Sequence, residues 1–426
     1  MARATFWLLV AWASIDASVA VYLAVNGLTL ASTLLLAAGV FAIIAVTYRS
    51  VRLGPGAPVG TVEGPLLMLV VAHLLLRTVV PFRAEPPPPD VIRATAAVAL
   101  LALGGSVLAS RLRRDPRWIV GALVLAAVAG IAARFQILWW DSDPTFDVPL
   151  ILEEGGAALL RGADPYLTFV YDSGFPYLPL SAIAAAGGVL LGDARWAVVA
   201  GEILTTAGIV LFAIRMGASR RLAWSGAALW AWWSGGLYVA WQGFPEPVLT
   251  GFAVMAAAAV APRARPILGG ILVGLAAATK QFGLGLLPFL LVWPTGRRQL
   301  VVGAATWLVI VLPFALWHPV NFAEGTFWSQ IAEPSRPHSL NLLNLPGALI
   351  DVPLLVVFPA AFLVGSLIAW RLGPGVSAWL GGSAGAMLIA FVLNPIAFVN
   401  YYTIPLVLIL LLILAIERRA KPLDTG

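Results

Sequence analysis

The sequence predicts an all-α polytopic membrane protein, from its composition and from the length of its apolar runs. Of its 426 residues, 61% are hydrophobic and 11% are charged, whereas an average soluble domain has about 25% charged residues. Apolar runs of about 20 residues, enough for a helix to cross a bilayer, recur along the chain. The prediction is a bundle of about 14 transmembrane helices with extracytoplasmic loops that carry juxtamembrane helices.

Composition also restricts the partners and sites that we expect. The chain has no cysteine, so neither a disulfide scaffold nor a thiolate metal site is predicted. Its net charge is +6, but in a membrane protein Lys and Arg set the orientation before they indicate a partner. The predicted partner is the lipid bilayer and not nucleic acid. The first apolar run contains Asp16 and leads directly into a second run, which indicates a retained span and not a cleaved signal peptide.

The predicted single crossings are residues 5–25, 27–47, 65–82, 91–109, 118–138, 197–213, 222–241, 247–260, 300–317, 353–370, 376–393 and 401–416. Two further runs are ambiguous, because 179–191 is short and 267–293 is either one long helix or two short ones broken near Lys280. Joining 267–293 would place Arg265 and Arg298 on opposite sides of the membrane. The positive-inside rule therefore favours a hairpin at 267–293 and a surface position for 179–191.

This topology places both termini in the cytoplasm and two large loops, 139–195 and 318–351, on the extracytoplasmic side. The predicted location is the cell (plasma) membrane, with several crossings. Residues 1–117 are predicted to form an N-terminal four-helix transmembrane accessory region, followed by a second transmembrane region, 118–426, that carries both large loops. Loops held on a rigid helical scaffold are where function usually concentrates.

The stretch WWDSDPTFDVPLILEEGGAALLRGADPY, residues 139–166, is the most acidic part of the chain. Its carboxylates are Asp141, Asp143, Asp147, Glu153 and Glu154. Asp147 suits an N-cap, Pro149 suits the first turn, and Gly162 followed by Pro165 marks a helix end. The spacing of the apolar residues predicts a helix flat on the bilayer, with both glutamates on its wet face.

Several motifs together carry a family resemblance. A span is followed by Asp147, then by a short helix ending in LLRGADPY, and then by FPYLPL. This order resembles the first outer loop of the GT-C superfamily of integral-membrane glycosyltransferases, closest to glycosyltransferase family 87, the polyprenyl-phosphate-mannose-dependent α-mannosyltransferases. WQGFPEPVL from Trp241, and LGGILVGLAAATKQFGLGLLPFLL around Lys280, fit the same pattern.

The resemblance covers residue 118 to the C-terminus and implies a GT-C-like catalytic region there. It implies an inverting transfer of a sugar, mannose in the first place, from a polyprenyl-phosphate donor to a hydroxyl of a glycolipid or glycan acceptor. The reaction would take place on the extracytoplasmic side and would need no cofactor. Such a reaction requires a carboxylate to accept the proton of the attacking hydroxyl, and groups that hold the departing phosphate.

Asp147 matches the position of the family's catalytic aspartate, although an aspartate there is also a good N-cap. Asp141 and Asp143 are the alternative bases. Together they read as a DxD motif that could hold a divalent metal, but DSDP is also an ordinary turn sequence.

Candidate phosphate-binding residues are Lys280, Arg336 and His338, with the alternatives that the lysine extends to the membrane interface and that the other two face water. Candidate residues for the acceptor or the sugar are Tyr166, Tyr177, Trp241, Gln242 and Glu246, although aromatic residues are also common at membrane interfaces.

Two other function classes stay open. Many spans, a broken helix at Lys280 and the intramembrane acids Asp16 and Glu202 are also typical of a transporter or lipid flippase, although each acid could instead hydrogen-bond to a neighbouring helix. A non-catalytic scaffold is the third class, since FPYLPL departs from the family's tyrosine-double-proline form and FDVPLILEEGG lacks a tyrosine found in many relatives. Arg134 is predicted to be an interface anchor.

Overall fold

The computed structural model describes residues 2–48, 62–80, 88–113, 117–141, 147–170, 173–261, 265–292, 296–328, 336, 339–345, 348–349, 352–394 and 396–418. These residues form helices almost throughout, with two short antiparallel hairpins, so the predicted all-α class is confirmed. The hairpins pair β1 (Phe169–Val170) with β2 (Ser173–Gly174), and β3 (Asn344–Leu345) with β4 (Ala348–Leu349).

The helices that precede the second half of the chain are α1 (Ala2–Val25), α2 (Leu30–Tyr48), α3 (Glu63–Val79), α4 (Pro89–Arg113), α5 (Arg117–Trp140), α6 (Asp147–Leu160), α7 (Pro179–Val189), α8 (Trp196–Arg215) and α9 (Arg220–Ala231). Those that follow are α10 (Gly236–Trp241), α11 (Glu246–Val260), α12 (Pro266–Thr279), α13 (Gly296–Trp317), α14 (Pro319–Ala323), α15 (Leu354–Leu372), α16 (Val376–Val392) and α17 (Thr403–Arg418). Short 3-10 segments lie at Pro165–Leu167, Gln281–Leu286, Pro288–Val292 and Val399–Tyr402, and a π-helical turn at Glu324–Trp328.

Six helical segments of the described chain are long and apolar enough to cross a membrane. They are Ala4–Val25, Pro89–Ser110, Arg117–Trp140, Trp196–Arg215, Gly296–Trp317 and Val399–Ile416. Shorter apolar helices pack among them, including α11 and α12. The fold is that of an all-α membrane protein.

The predicted break near Lys280 is confirmed. Helix α12 ends at Thr279, Lys280 is extended with φ −148° and ψ 150°, and 3-10 turns follow. Helices α12 and α13 then run parallel and in close contact. A Cβ added to Gly270 would lie 2.7 Å from the carbonyl oxygen of Gln299, and one added to Gly274 would lie 2.5 Å from that of Gly303. Glycines let the two backbones approach in this way. Because the two helices are parallel, residues 281–292 lead from the end of α12 back toward the end where α12 begins.

The predicted span 222–241 is not one continuous helix, because the helix breaks between α9 and α10. Helix α9 has 12 residues, about 18 Å at 1.5 Å per residue, and Ser234 and two glycines follow it. Polar side chains from other helices satisfy the backbone at the break. Asp16 Oδ1 accepts from Ser234 N at 2.9 Å, Arg77 donates to the carbonyl oxygen of Ser234, and Arg134 donates to that of Ala231 at 2.8 Å.

The N-terminal helices therefore contact the rest of the bundle at the broken helix. Asp16 on α1 also pairs with His73 on α3, with Oδ2 and Nε2 separated by 2.5 Å. At the start of α3, Glu63 accepts a hydrogen bond from Ser219 and lies 3.6 Å from Arg221. Residues 1–117 thus contact both ends of α9, whose continuation, α10, ends at the predicted site residues Trp241 and Gln242.

Candidate functional site

The predicted site residues that the structure describes lie where several helices begin or end. Asp141 follows α5, Asp147 begins α6, Trp241 ends α10, Glu246 begins α11 and Lys280 follows α12. Helix ends carry backbone groups without helical partners. Side chains at such positions are held by the scaffold and yet reach a common region between the helices.

Helix α6 begins at Asp147, as predicted, and Asp147 Oδ1 accepts from the following amide, Val148 N, at 2.8 Å. Its side chain is exposed. The helix ends through a Schellman motif at Gly162, which has φ +71°, with bonds from Gly162 N to Leu159 O and from Ala163 N to Ala158 O. Local signals therefore fix both ends of the helix that presents Asp147.

Asp141 belongs to an ion network that joins α5 to the start of α8. Its Oδ2 accepts from Trp241 Nε1 at 2.6 Å and from Arg195 Nη1 at 3.3 Å. Arg195 is fully buried, and Asp193 holds it from the other side with an Nη2–Oδ2 distance of 2.6 Å. Because Oδ2 is already engaged by two donors, Asp141 is a poorer candidate base than the exposed Asp147.

Close packing links this network to the start of α6. Gly243 has φ +65°, and a Cβ added there would lie 3.2 Å from both Arg195 Cγ and Pro149 Cγ. Only a glycine suits both the left-handed backbone and the narrow gap. Glu153 was predicted to face water, but its Oε2 accepts from Ala194 N at 2.8 Å and so joins α6 to the turn before α8. Glu154 is exposed, as predicted.

Lys280 and Glu246 form a buried ion pair. Lys280 Nζ lies 2.6 Å from Glu246 Oε1, and the same oxygen accepts from Asn400 Nδ2 at 2.7 Å. The ammonium also lies 5.0–5.2 Å from the ring centroids of Tyr177, Phe282 and Tyr401. Aromatic faces attract a cation at this range, so Lys280 is held by charge and by an aromatic cage and does not extend to an interface.

Tyr177, one ring of this cage, lies directly before helix α7. Ser181 Oγ, in the first turn of α7, donates to the carbonyl oxygen of Thr279 at 2.7 Å. Burial raises the pKa of Tyr177 well above its ordinary value, and the carboxylates of Glu246 and Asp147 raise it further. The Tyr177 phenol is therefore neutral and able to donate a hydrogen bond. Its ring contacts the Lys280 ammonium, and the Asp147 carboxylate acts on it electrostatically.

Several buried polar atoms of this region have no hydrogen-bond partner within the described chain. They are Glu246 Oε2, Asn400 Oδ1 and Gln242 Nε2. Glu246 is fully buried, and Gln242 is 3% exposed. An unpaired buried polar group costs about 1–3 kcal/mol. These atoms are therefore ready to bind water or a polar ligand.

Tyr166, a candidate residue for the acceptor or the sugar, lies buried among aromatic side chains. Its side chain is 2% exposed and lies edge-on to Phe175 and Phe322. Its hydroxyl donates to the carbonyl oxygen of Tyr177 at 2.8 Å, and burial raises the pKa of Tyr166 well above its ordinary value, with a further contribution from Asp164. Tyr166 therefore stabilises the first large loop, because its hydroxyl is hydrogen-bonded to another residue of the same loop.

The second large loop contributes less to the described site. Arg336 is exposed, with its guanidinium 5.8 Å from the ring centroid of Phe398. The structure does not bring it to Lys280. His338 and Asp143 lie outside the described residues. Among the residues that the structure describes, no three potential metal ligands lie together.

Three functional candidates were missed in the sequence. Arg195 is an isolated arginine in an acidic loop, where the positive-inside rule expects few basic residues, and this was its available signal. Asn400 begins the polar stretch NYYT at the start of the last span. His318 pairs with the buried Asp164 across the two large loops, with Nδ1 and Oδ2 separated by 2.6 Å.

The intramembrane acids have structural partners. Glu202 Oε2 accepts from Trp230 Nε1 at 2.9 Å and lies 3.4 Å from Arg134. Asp16 binds His73 and Ser234. The prediction that Arg134 is an interface anchor is wrong, because its side chain is fully buried and donates to the carbonyl oxygen of Ala231 at the end of α9.

No family model, curated protein or solved structure matches this chain. The family resemblance therefore stays a prediction from the motifs. The chemical content of the site rests on its own geometry, which combines one exposed carboxylate, one caged ammonium and several unpaired buried polar atoms.

Proposed function

We propose that the protein is an inverting membrane glycosyltransferase. It moves a sugar, mannose in the first place, from a polyprenyl-phosphate donor to a hydroxyl of a lipid or glycan acceptor. The observation that carries the proposal is the position of Tyr177, which lies against the Lys280 ammonium and within electrostatic range of the exposed Asp147 carboxylate. Tyr177 is thus a common neighbour of a candidate cation and a residue on which a candidate base acts electrostatically.

In the proposed topology, the GT-C-like chain crosses the cell membrane about 14 times, with both termini in the cytoplasm and the site outside. The parallel contact of α12 with α13 supports this arrangement. It brings the arginine-bearing starts of both helices to one end of the bundle and Lys280 to the other. The positive-inside rule assigns the arginine end to the cytoplasm.

In the proposed reaction, an acceptor hydroxyl attacks the anomeric carbon of the donor sugar. The new C–O bond forms as the bond from that carbon to the phosphate oxygen breaks, and the polyprenyl phosphate leaves with the bonding pair. Asp147 accepts the hydroxyl proton. Its exposure supports this role, since a base must reach the proton directly at about 2.6–3.2 Å.

Lys280 can contribute donors to the leaving phosphate or to a sugar oxygen. An ammonium has three N–H groups, and Lys280 uses one for Glu246 within the described chain. Because Glu246 neutralises the lysine, a bound phosphate would have to compete with this carboxylate. Glu246 Oε2 and Gln242 Nε2 complete the proposed polar surface, with Trp241 beside them as a platform for the acceptor sugar.

The experiment compares Asp147→Asn with two matched variants, Glu154→Gln on the exposed side of the same helix and Asp141→Asn in the ion network. Membranes that contain each protein are incubated with labelled polyprenyl-phosphate-mannose, and the rate at which label appears in lipid and glycan products is measured. Asp147→Asn should lower the rate about 10²–10⁴-fold, the usual contribution of a general base, and Glu154→Gln should not change it. Full activity of Asp147→Asn with loss in Asp141→Asn would assign the base to Asp141 instead.

A second function, transport or lipid flipping, is favoured by one specific observation. Helix α12 breaks at a buried Lys280–Glu246 pair, and transporters place charged groups at such broken helices. Labelled lipid that crosses reconstituted membranes without any transfer of sugar would support this function over the first.

A further inference from the structure

A cavity of about 350 Å³ lies at the end of α12 opposite Lys280. Its lining consists of Arg265, Pro266, Ile267, Leu268, Ile271 and Arg298. None of these residues belongs to the candidate site, and inferring a ligand for the cavity does not rest on the proposed sugar transfer.

The parallel packing of α12 and α13 creates this cavity. Gly270 of α12 meets Gln299 and Val302 of α13, and one turn later Gly274 meets Gly303 and Thr306. The two helices thus start side by side, although 16 residues, 280–295, lie between them in the sequence. Arg265, directly before α12, and Arg298, in the first turn of α13, consequently face one space.

The cavity is cationic at one edge and apolar over the rest. Both arginines are exposed, and no carboxylate is among the described residues that line the space. Neither arginine has an ion pair with any residue that the structure describes, whereas the buried Arg134 and Arg195 both do. The apolar lining is itself accessible, with Ile267 48%, Leu268 41% and Ile271 37% exposed.

We propose that this cavity binds the phosphodiester headgroup of an anionic phospholipid. Guanidinium groups suit phosphate because they donate two parallel hydrogen bonds, and basic pockets between transmembrane helices bind anionic headgroups. The isoleucine and leucine side chains continue from the arginines along α12 and provide a surface for an acyl chain. This apolar surface distinguishes a lipid from free phosphate, which could use only the arginines.

The test uses the full chain in detergent, with native mass spectrometry to count bound lipid. Phosphatidylglycerol and phosphatidylcholine with identical acyl chains are added in parallel. The wild-type protein should bind phosphatidylglycerol preferentially. The double variant Arg265→Gln/Arg298→Gln should weaken that binding roughly fivefold per arginine, about 25-fold together, from the usual contribution of a basic residue at a membrane surface.

The matched control is Arg161→Gln/Arg220→Gln, which removes the same charge from exposed positions elsewhere and should retain the preference. Arg265→Lys/Arg298→Lys should retain most of it, which separates loss of charge from misfolding. Equal binding of the two lipids by the wild type, or equal loss in the control, would overturn the proposal. Displacement of the lipid by inorganic phosphate at the same concentration would assign the site to free phosphate and also overturn it.

Discussion

The Lys280–Glu246 pair gives the sharpest stability prediction. Lys280 is 6% exposed and Glu246 is fully buried, and removing one partner of a buried pair costs about 3–5 kcal/mol because the other charge stays buried. Lys280→Met leaves a buried carboxylate whose remaining hydrogen-bond donor among the described residues is Asn400. Because one neutral donor compensates little of a buried charge, we expect the upper half of that range. Glu246→Leu leaves the ammonium inside its aromatic cage, and cation–π attraction of about 0.5–1 kcal/mol per ring places the expected cost near 3 kcal/mol.

The double variant Lys280→Met/Glu246→Leu should be more stable than either single variant. It removes both charges, and the remaining cost is the orphaned Asn400 amide, about 1 kcal/mol. The assay is SDS titration of the protein in mixed micelles, followed by tryptophan fluorescence. The two single costs together exceed the cost of the double variant by about 6 kcal/mol, which is the expected coupling energy.

An exposed pair provides the comparison for this cycle. Arg161 and Glu154 lie 3.9 Å apart with side chains 63% and 55% exposed, and such pairs contribute about 0–1 kcal/mol. The same cycle on this pair should give a coupling energy below about 1 kcal/mol. Additive costs at Lys280 and Glu246 would refute the buried-pair reasoning.

Two further stability changes follow from the backbone geometry and the broken helix, and the same titration measures them. Gly243→Ala should cost about 1–2 kcal/mol, since its φ is +65° and an added Cβ would lie 3.2 Å from Arg195 and Pro149. Gly187→Ala, in an open position of helix α7, should instead gain up to about 1 kcal/mol; a loss equal to that of Gly243→Ala would contradict the argument. Asp16→Asn should cost about 1–3 kcal/mol, because its carboxylate forms buried hydrogen bonds with His73 on α3 and with Ser234 in the break between α9 and α10; unchanged stability would show that the break needs no such acceptor.

Local chemistry made part of the fold predictable. Asp147, Pro149 and Gly162 act within a few residues of themselves, so the bounds of α6 followed from the sequence. The break at Lys280 was predictable because a lysine in an apolar run is expensive to bury in a continuous span. The break after α9 was missed although Ser234 and two glycines signal it, because the surrounding tryptophans kept the run apolar.

Long-range partners were beyond the reach of the sequence. Arg195 and Asp141 are separated by 54 positions, and Asn400 and Glu246 by 154, so no local spacing links them. Arg134 lies near the end of its span. An arginine there can extend to the membrane interface or pack against another helix, and the local sequence is the same in both cases. Only the packing of α5 against the broken helix distinguishes these cases.

The central claim is that this chain transfers sugar, and reconstitution tests it most directly. Purified protein in liposomes that contain acceptor lipid is given labelled polyprenyl-phosphate-mannose, -glucose or -arabinose, and labelled product is separated from donor. We expect that label from one of these donors, in the first place mannose, enters a new product in wild-type liposomes and not in Asp147→Asn liposomes. Label that crosses the membrane while remaining on its donor, with no new product from any of the three sugars, would contradict it.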